Sequence, residues 1–151
     1  PMINACLETR FVPQTLESVT QYWHQHRDDP NSPWFAICLL EDDLHIGNIK
    51  LGPINWLHRK ADISLFIGNS LYWGKGYATE AISSIKEWSF AELDLQKINA
   101  GIYASNLGSR KAFEKSGFSH EGTLKSEVFS AGHRIDVWKM GLTRAEWRTN
   151  S

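Results

Sequence analysis

A short glycine-containing segment, residues 74–81 (GKGYATEA), constrains the fold of this chain more than any other part of its sequence. Residues 61–68 before it have the composition of a β-strand, and the residues after it show helical spacing. The apolar positions of that helical pattern are Ala78, Ala81, Ile82, Ile85 and Trp88. The glycines therefore lie at the N-terminus of a helix. Free N–H groups and the helix dipole favour a bound anion there, such as a pyrophosphate.

Three ligand-binding patterns compete for this loop, beside a tight strand-to-helix turn that binds nothing. A P-loop is excluded, because four residues do not separate a first glycine from a Gly-Lys-Ser/Thr end. A dinucleotide fingerprint requires a glycine or alanine at Thr79 and a βαβ unit near the start of the chain, and the sequence has neither. The third pattern, Gln/Arg-x-x-Gly-x-Gly/Ala, fits residues 73–78, with Trp73 in place of the first residue.

A second segment, residues 106–118, favours the third pattern. It reads Asn-x-x-Ser, continues through an aromatic residue and ends in Gly-Phe. Two such segments, in this order and about 30 residues apart, resemble the acyl-CoA-binding motifs of the GCN5-related N-acetyltransferases, the GNAT family. The resemblance extends over roughly residues 35–142. It is closest to the branch of ribosomal-protein-alanine and spermidine acetyltransferases, which share the runs at residues 121–124 and 132–137.

The resemblance implies an α/β (α+β) fold in a single domain, residues 1–151. Such domains have a mixed, mostly antiparallel central sheet of about seven strands flanked by helices. The sheet opens into a V, here where the strands at Ile63 and Ile98 diverge. Family members also begin with a strand and a helix, and too few residues precede Leu16 to supply both. We therefore expect either further residues in the native gene or a sheet edge that pairs in a homodimer.

Local patterns predict the other elements. Thr15 can cap a helix over residues 16–27, whose apolar face carries Leu16, Val19, Tyr22 and Trp23. Cys38 lies in an apolar run, which predicts a buried thiol. The remaining predicted elements are strands over residues 34–41, 45–51, 61–67 and 98–104, helices over 76–93 and 106–116, and a hairpin over 118–129 and 134–142.

Composition narrows the class of partner. A formal net charge of −1 and the lack of a long Lys/Arg run argue against nucleic acid. No apolar stretch approaches the ~20 residues that span a bilayer and no signal sequence is evident, so we expect no membrane partner and a cytoplasmic location. His24 and His26 point to different faces of their helix, and we expect no metal. The expected partner is a small-molecule amine.

The resemblance implies that the acetyl donor, acetyl-CoA, is bound mainly by backbone groups. Its pantetheine arm would lie along the strand before the glycine loop, at Leu65, Phe66 and Ile67. An N–H at Leu65 or Phe66 would meet the oxyanion. The pyrophosphate would bind the N–H groups of Gly74, Lys75, Gly76, Tyr77, Ala78 and Thr79. Asn106 and Ser109 would contact the donor from the second motif, unless they only cap the helix and satisfy its backbone groups.

Acyl transfer from a thioester to an amine also needs an acid for the leaving thiolate and a base for the amine. Many family members have a tyrosine where this chain has Phe113, which cannot donate a proton. Ser109 is our candidate acid, with Tyr103 as its substitute. The candidate bases are Asp62, Glu127, His58 and Asp136, of which Asp62 and Glu127 are preferred. The alternative for Asp62 is a solvated carboxylate at a strand end.

Acceptor specificity is expected from three loops, residues 28–33, 55–60 and 130–133, with Trp56, His58 and Arg134 as substrate-binding residues. Because no strong base is evident, a weakly basic amine is the easier substrate. Residues 45–63 are similar to acetyltransferases of surface-polysaccharide pathways, so the expected acceptor is an amino-sugar nucleotide. A protein N-terminus or a polyamine is the alternative acceptor. A non-catalytic acyl-CoA-binding module is the alternative from another class.

Overall fold

The central strands alternate buried and exposed side chains, as expected for a sheet that packs helices on one face. In the computed structural model, which describes residues 15–150, Ala61, Ile63 and Ile67 are buried and the residues between them are exposed or half-buried. The elements in chain order are α1 (Leu16–His26), β1 (Trp34–Cys38), β2 (His45–Leu51), β3 (Lys60–Ile67), a 3-10 helix (Ser70–Tyr72), α2 (Tyr77–Ala91), β4 (Lys97–Tyr103), α3 (Leu107–Lys115), β5 (Ser119–Ser130), β6 (His133–Thr143) and α4 (Arg144–Thr149).

One sheet contains all six of the described strands, in the order β1-β2-β3-β4-β6-β5. Neighbours are antiparallel except β3 and β4, which are parallel and pair only over residues 60–62 and 97–99. Beyond these residues the two strands separate. The predicted mixed, mostly antiparallel sheet that opens near Ile63 and Ile98 is therefore confirmed. The first strand and helix of the family would fall outside the described residues.

Two helices cover one face of the sheet. α2 buries Ile82, Ile85 and Phe90, and α3 buries Phe113, all within one core cluster that includes the inward side chains of the strands. α4 adds Trp147, whose ring stacks on Phe90 at a centroid distance of 5.3 Å. Because α2 follows β3 and α3 follows β4, both helices begin at the end of the sheet where the two strands have separated.

The helix α1 begins as predicted, because the Thr15 hydroxyl accepts a hydrogen bond from the N–H of Ser18. Its apolar face, however, is not buried against the described part of the chain: Leu16 is 86% exposed, and none of the helix residues is buried. One contact with the sheet is an edge-on approach of Tyr22 to Trp34, at 5.7 Å between ring centroids. The sequence pattern thus identified a shared face but not what covers it.

Several boundaries differ from the predictions for local reasons. β1 ends at Cys38, where its register with β2 shifts, and the Cys38 thiol is exposed instead of buried. The pattern missed α4, whose six residues are too few to show a helical period. Among residues 15–150, no helix is long and apolar enough to cross a membrane.

Candidate active site

The separation of β3 from β4 leaves main-chain groups of β3 facing an open cleft. The N–H of Gly68 donates to the carbonyl of Ile46, and the carbonyl of Asp62 accepts from the N–H of Gly52, both at 2.8 Å, so even-numbered residues of β3 bond to β2. In a strand, alternate residues direct these groups to opposite neighbours. The main-chain groups of Leu65 and Ile67 therefore face the cleft.

This register distinguishes the two predicted oxyanion donors. Phe66 lies opposite Asn48, and its main-chain groups are directed to β2. Leu65 is the residue whose N–H points into the cleft, as the alternation requires. The register therefore favours Leu65 over Phe66, because a one-residue change along a strand reverses the direction of the N–H group, and the donor role of both residues stays a prediction.

The glycine loop joins this open edge to α2. Gly74 has φ +71° and Gly76, the N-cap of α2, has φ +92°, a left-handed region that side chains rarely adopt. A Cβ added at either glycine would meet no described atom within 4 Å. The space above the loop is therefore open to a ligand.

The start of α2 differs from every other helix start in residues 15–150. The N-caps of α1, α3 and α4 each use a side chain, from Thr15, Asn106 and Thr143, to accept a main-chain N–H of the first turn. Gly76 has no side chain and makes no such bond. The first N–H groups of α2, the longest helix in this part of the chain, are therefore free of a side-chain cap and available to an anion.

The side chain of Trp73 closes the loop onto the sheet, a contact that the sequence did not predict. Its indole Nε1–H donates to the carbonyl oxygen of Ile67 at 3.0 Å. Next to it, the rings of Tyr72 and Tyr77 meet edge-on at 6.1 Å, and the ammonium of Lys75 lies 5.7 Å from the Tyr72 ring. A signal was available, since the family pattern places Gln or Arg at this position and both, like Trp, carry a side-chain N–H.

The second motif forms the start of α3 beside the cleft. The Asn106 side-chain oxygen accepts the N–H of Ser109 at 3.1 Å, so Asn106 is a helix cap whatever else it contacts. Ser109 is half-buried in the first turn. Phe113 is 2% exposed and meets Phe118 edge-on at 5.1 Å, so it is a core residue. Among the three, Ser109 has the hydroxyl that could act as an acid.

The two preferred bases lie apart. Asp62 is exposed at the closed end of the cleft, opposite Asn99 where the pairing with β4 ends. Glu127 is exposed on β5, and β6 lies between β5 and β4 in the sheet. The strand bulges here, and the Asp136 carboxylate accepts the N–H of Ser126 in this bulge at 2.8 Å. Neither Asp62 nor Glu127 forms an ion pair with another residue between 15 and 150.

The predicted acceptor loops do not converge. The Trp56 indole N–H donates to the side-chain oxygen of Asn31 at 2.7 Å, and His58 lies in the same turn, so residues 28–33 and 55–60 meet at the N-terminal end of β3. That end is opposite the glycine loop. Arg134 is the second residue of β6 and lies beyond the C-terminal end of β4, with its Nη1 3.4 Å from the Glu127 carbonyl oxygen. Of the three predicted substrate residues, Arg134 alone lies at the open end.

The expectation of no metal remains a prediction. Among the described residues, no group of three or more His, Cys, Asp or Glu side chains is arranged to hold a metal ion.

Comparison with known proteins places this arrangement in a family. A family model described as an acetyltransferase (GNAT) domain matches residues 5–119. The uncharacterized N-acetyltransferase p20 of Bacillus licheniformis is 31% identical over 113 residues, 75% of this chain and 63% of p20. The spermidine N(1)-acetyltransferase of Vibrio cholerae is 28% identical over 138 residues, 91% of this chain and 79% of that protein. The chain therefore spans between about two thirds and four fifths of these relatives.

A solved structure matches the fold over the same region. The crystal structure of the Vibrio cholerae spermidine N-acetyltransferase with CoA and spermine aligns with a TM-score of 0.82 and 26% sequence identity, covering 90% of this chain and 79% of that one. The family predicted from the two motifs is thereby confirmed, together with its sheet and helices. With the family match extending over most of its length, the chain belongs to the acetyltransferase (GNAT) domain family.

Proposed function

We propose that this chain is an acetyl-CoA-dependent N-acetyltransferase that acetylates a primary amine. The observation that carries the proposal is the uncapped N-terminus of α2, which residues 68–76 join to a strand edge that has no strand partner beyond residue 62 in the described part of the chain. A strand edge can hold an extended amide-containing arm, and a free helix N-terminus can hold a pyrophosphate. Coenzyme A contains both groups in that order, and the relatives named as N-acetyltransferases support this donor.

The donor site is made of main-chain groups. The pantetheine arm would pair with the cleft-facing groups of Leu65 and with the N–H of Ile67, whose carbonyl oxygen already accepts from Trp73. The pyrophosphate would accept N–H groups from Gly74 to Thr79. The Leu65 N–H would then lie beside the thioester, where it can stabilise the negative charge that develops on the acyl oxygen. Neither role requires a particular side chain at Leu65, since the groups belong to the backbone.

The chemistry requires three proton transfers. The ammonium form of the amine loses its first proton to a carboxylate, for which Asp62 or Glu127 is proposed, and the free amine then attacks the acyl carbon. The nitrogen of the tetrahedral intermediate loses a second proton to solvent, the carbon–sulfur bond breaks, and the Ser109 hydroxyl donates the proton that the leaving thiolate takes up. The products are an acetamide and a free thiol, with Ser109 reprotonated through solvent.

Among amines, we propose a polyamine ahead of a peptide amine and an amino-sugar nucleotide. The expectation of an amino sugar rested on the similarity of residues 45–63 and on the lack of a strong base. Two of the three loops expected to bind the acceptor, residues 28–33 and 55–60, lie at the far end of β3 from the glycine loop. Relatives named as spermidine acetyltransferases, one of them solved with spermine, support the polyamine. The exposed carboxylates of Asp62 and Glu127, which form no ion pair among residues 15–150, suit a cationic acceptor.

Two measurements test this function. Isothermal calorimetry with acetyl-CoA tests the donor site, and saturable binding is expected. Thiol release is then followed with spermidine, spermine, a peptide N-terminus and an amino-sugar nucleotide, and we expect the polyamines to give the highest kcat/KM. Donor binding without release for any amine would favour a non-catalytic module, and a preference for the amino sugar would contradict the acceptor ranking.

A further inference from the structure

We propose that Trp73 is a positioning residue of the donor site, whose indole N–H ends the open edge of β3 and sets the point at which the donor leaves the strand. This role rests on the proposed function. The carrying observation is the bond from Trp73 Nε1 to the Ile67 carbonyl oxygen, 3.0 Å long. Ile67 is the last residue of β3 and one of the two residues whose main-chain groups face the cleft.

The bond from Trp73 matters to the donor site because the Ile67 carbonyl lies where the open edge of β3 ends. β3 ends at Ile67, so the strand edge available to an added arm stops there. A bare carbonyl oxygen at that point would present partial negative charge beside the loop that binds an anion. The indole N–H of Trp73 compensates that charge and also occupies the acceptor, so an arm paired along β3 must turn there toward the glycines.

Trp73 is fixed at both its backbone and its side chain. Its N–H donates to the Ser70 carbonyl at 3.1 Å and closes the 3-10 helix, while its indole holds the end of β3. The next residue is Gly74, where the left-handed part of the loop begins. Removing the indole bond would loosen the connection that presents the N–H groups of the loop, and part of the binding free energy would then be spent on ordering it.

Two substitutions separate the N–H donor from the aromatic ring. Trp73→Phe keeps a ring but has no N–H, whereas Trp73→Gln loses the ring and keeps a side-chain N–H. We expect Trp73→Phe to raise the acetyl-CoA Kd about 5- to 10-fold, the effect of one hydrogen bond. We expect Trp73→Gln to stay within about 2-fold of the unchanged protein. For both variants, kcat at saturating donor and the acceptor KM should change by less than about 2-fold.

Trp147→Phe is the matched control. Its indole also donates a hydrogen bond, to Glu87 at 2.9 Å, but this contact lies eleven residues along α2 from Gly76, about 16 Å away. We expect its acetyl-CoA Kd to be unchanged. Trp73 is 42% exposed, so its variants should fold, and thermal denaturation checks this first.

A second measurement uses the unchanged protein. The indole N–H signal of Trp73, assigned by its loss in Trp73→Phe, should be protected from hydrogen exchange both before and after acetyl-CoA is added. Exchange at the rate of free indole would overturn the proposal, as would a Trp73→Phe variant that binds acetyl-CoA normally or equal weakening by Phe and Gln. If the unchanged protein bound no acetyl-CoA, the proposed function itself would fail, and this role with it.

Discussion

The N-termini of α2 and α3 lie at the same end of the sheet, on either side of the gap between β3 and β4, yet they are built differently. α2 begins at Gly76 without a side-chain cap, and its first N–H groups are open. α3 begins at Asn106, whose side-chain oxygen already accepts the N–H of Ser109. A helix start that is satisfied by its own side chain has less to offer an anion.

This difference suggests that the two helix starts have different roles, although both belong to motifs of the same acyl-CoA-binding pattern. The start of α2 can bind through its main chain, so changes there should alter donor affinity. The start of α3 can contribute a side chain, the Ser109 hydroxyl, so a change there should alter turnover. The predictions below test whether affinity and turnover separate in this way.

The largest effect is expected from a charge at the open helix start. Asp and Asn both tolerate the left-handed backbone of Gly76, and a Cβ there meets open space. A carboxylate about 4 Å from a pyrophosphate is repelled by roughly 4 kcal/mol at an effective dielectric constant of about 20. We therefore expect Gly76→Asp to weaken acetyl-CoA binding at least 100-fold more than Gly76→Asn does, as measured by calorimetry. Equal affinities of the two variants would show that no phosphate binds at α2.

The next effect concerns turnover. If the Ser109 hydroxyl donates the proton to the thiolate, Ser109→Ala should lower kcat about 10- to 100-fold, with the acetyl-CoA Kd within about 2-fold. Ser105→Ala is the control, because Ser105 is an exposed serine just before the same helix. Steady-state thiol release gives both constants. Unchanged kcat in Ser109→Ala would leave the enzyme function in place and remove Ser109 as the acid.

A smaller effect is expected for the capped helix itself. Asn106→Ala should lower the free energy of unfolding by about 1 kcal/mol, because the N–H of Ser109 loses its partner. Asn106→Asp retains the accepting oxygen and should keep this stability. Urea denaturation measures both. We expect the acetyl-CoA Kd of Asn106→Ala to rise less than about 3-fold, and a much larger rise would mean that Asn106 binds the donor as well.

The smallest effect is expected at the start of a third helix, α4, where one carboxylate makes the stability of the protein depend on pH. The Thr143 hydroxyl and then the Thr143 backbone N–H bond to the Glu146 carboxylate and lower its pKa below the ordinary value. The unfolded chain therefore takes up this proton at a higher pH than the folded chain. The contribution of Glu146 to the free energy of unfolding is complete above the ordinary carboxyl pKa. It is lost as the pH falls through the lower pKa of the folded protein. Thermal unfolding of the unchanged protein and of Glu146→Gln should thus converge in acid, whereas a constant difference would contradict this assignment.

The sequence by itself determined the features that depend on neighbouring residues. The caps at Thr15 and Asn106, the left-handed Gly76 and the strand–loop–helix order around residues 74–81 follow from short-range backbone sterics and hydrogen bonds. The family could be identified from residues 74–81 and 106–118, because a site built from main-chain groups requires glycines at fixed spacing. The sequence did not predict α4, because its six residues are too few to show a helical period.

The tertiary structure alone decided which groups meet. The register of β2 against β3 directs the Leu65 N–H, and not that of Phe66, into the cleft, and a pattern of period two cannot tell which neighbour a strand will have. The antiparallel pairing of β6 with β4 placed Arg134 at the open end of the cleft, and the fold brought Trp56 against Asn31 at the opposite end. The indole of Trp73 found the Ile67 carbonyl only because the chain turns back over those six residues. Such contacts depend on the path of the whole chain, and local propensity carries no information about that path.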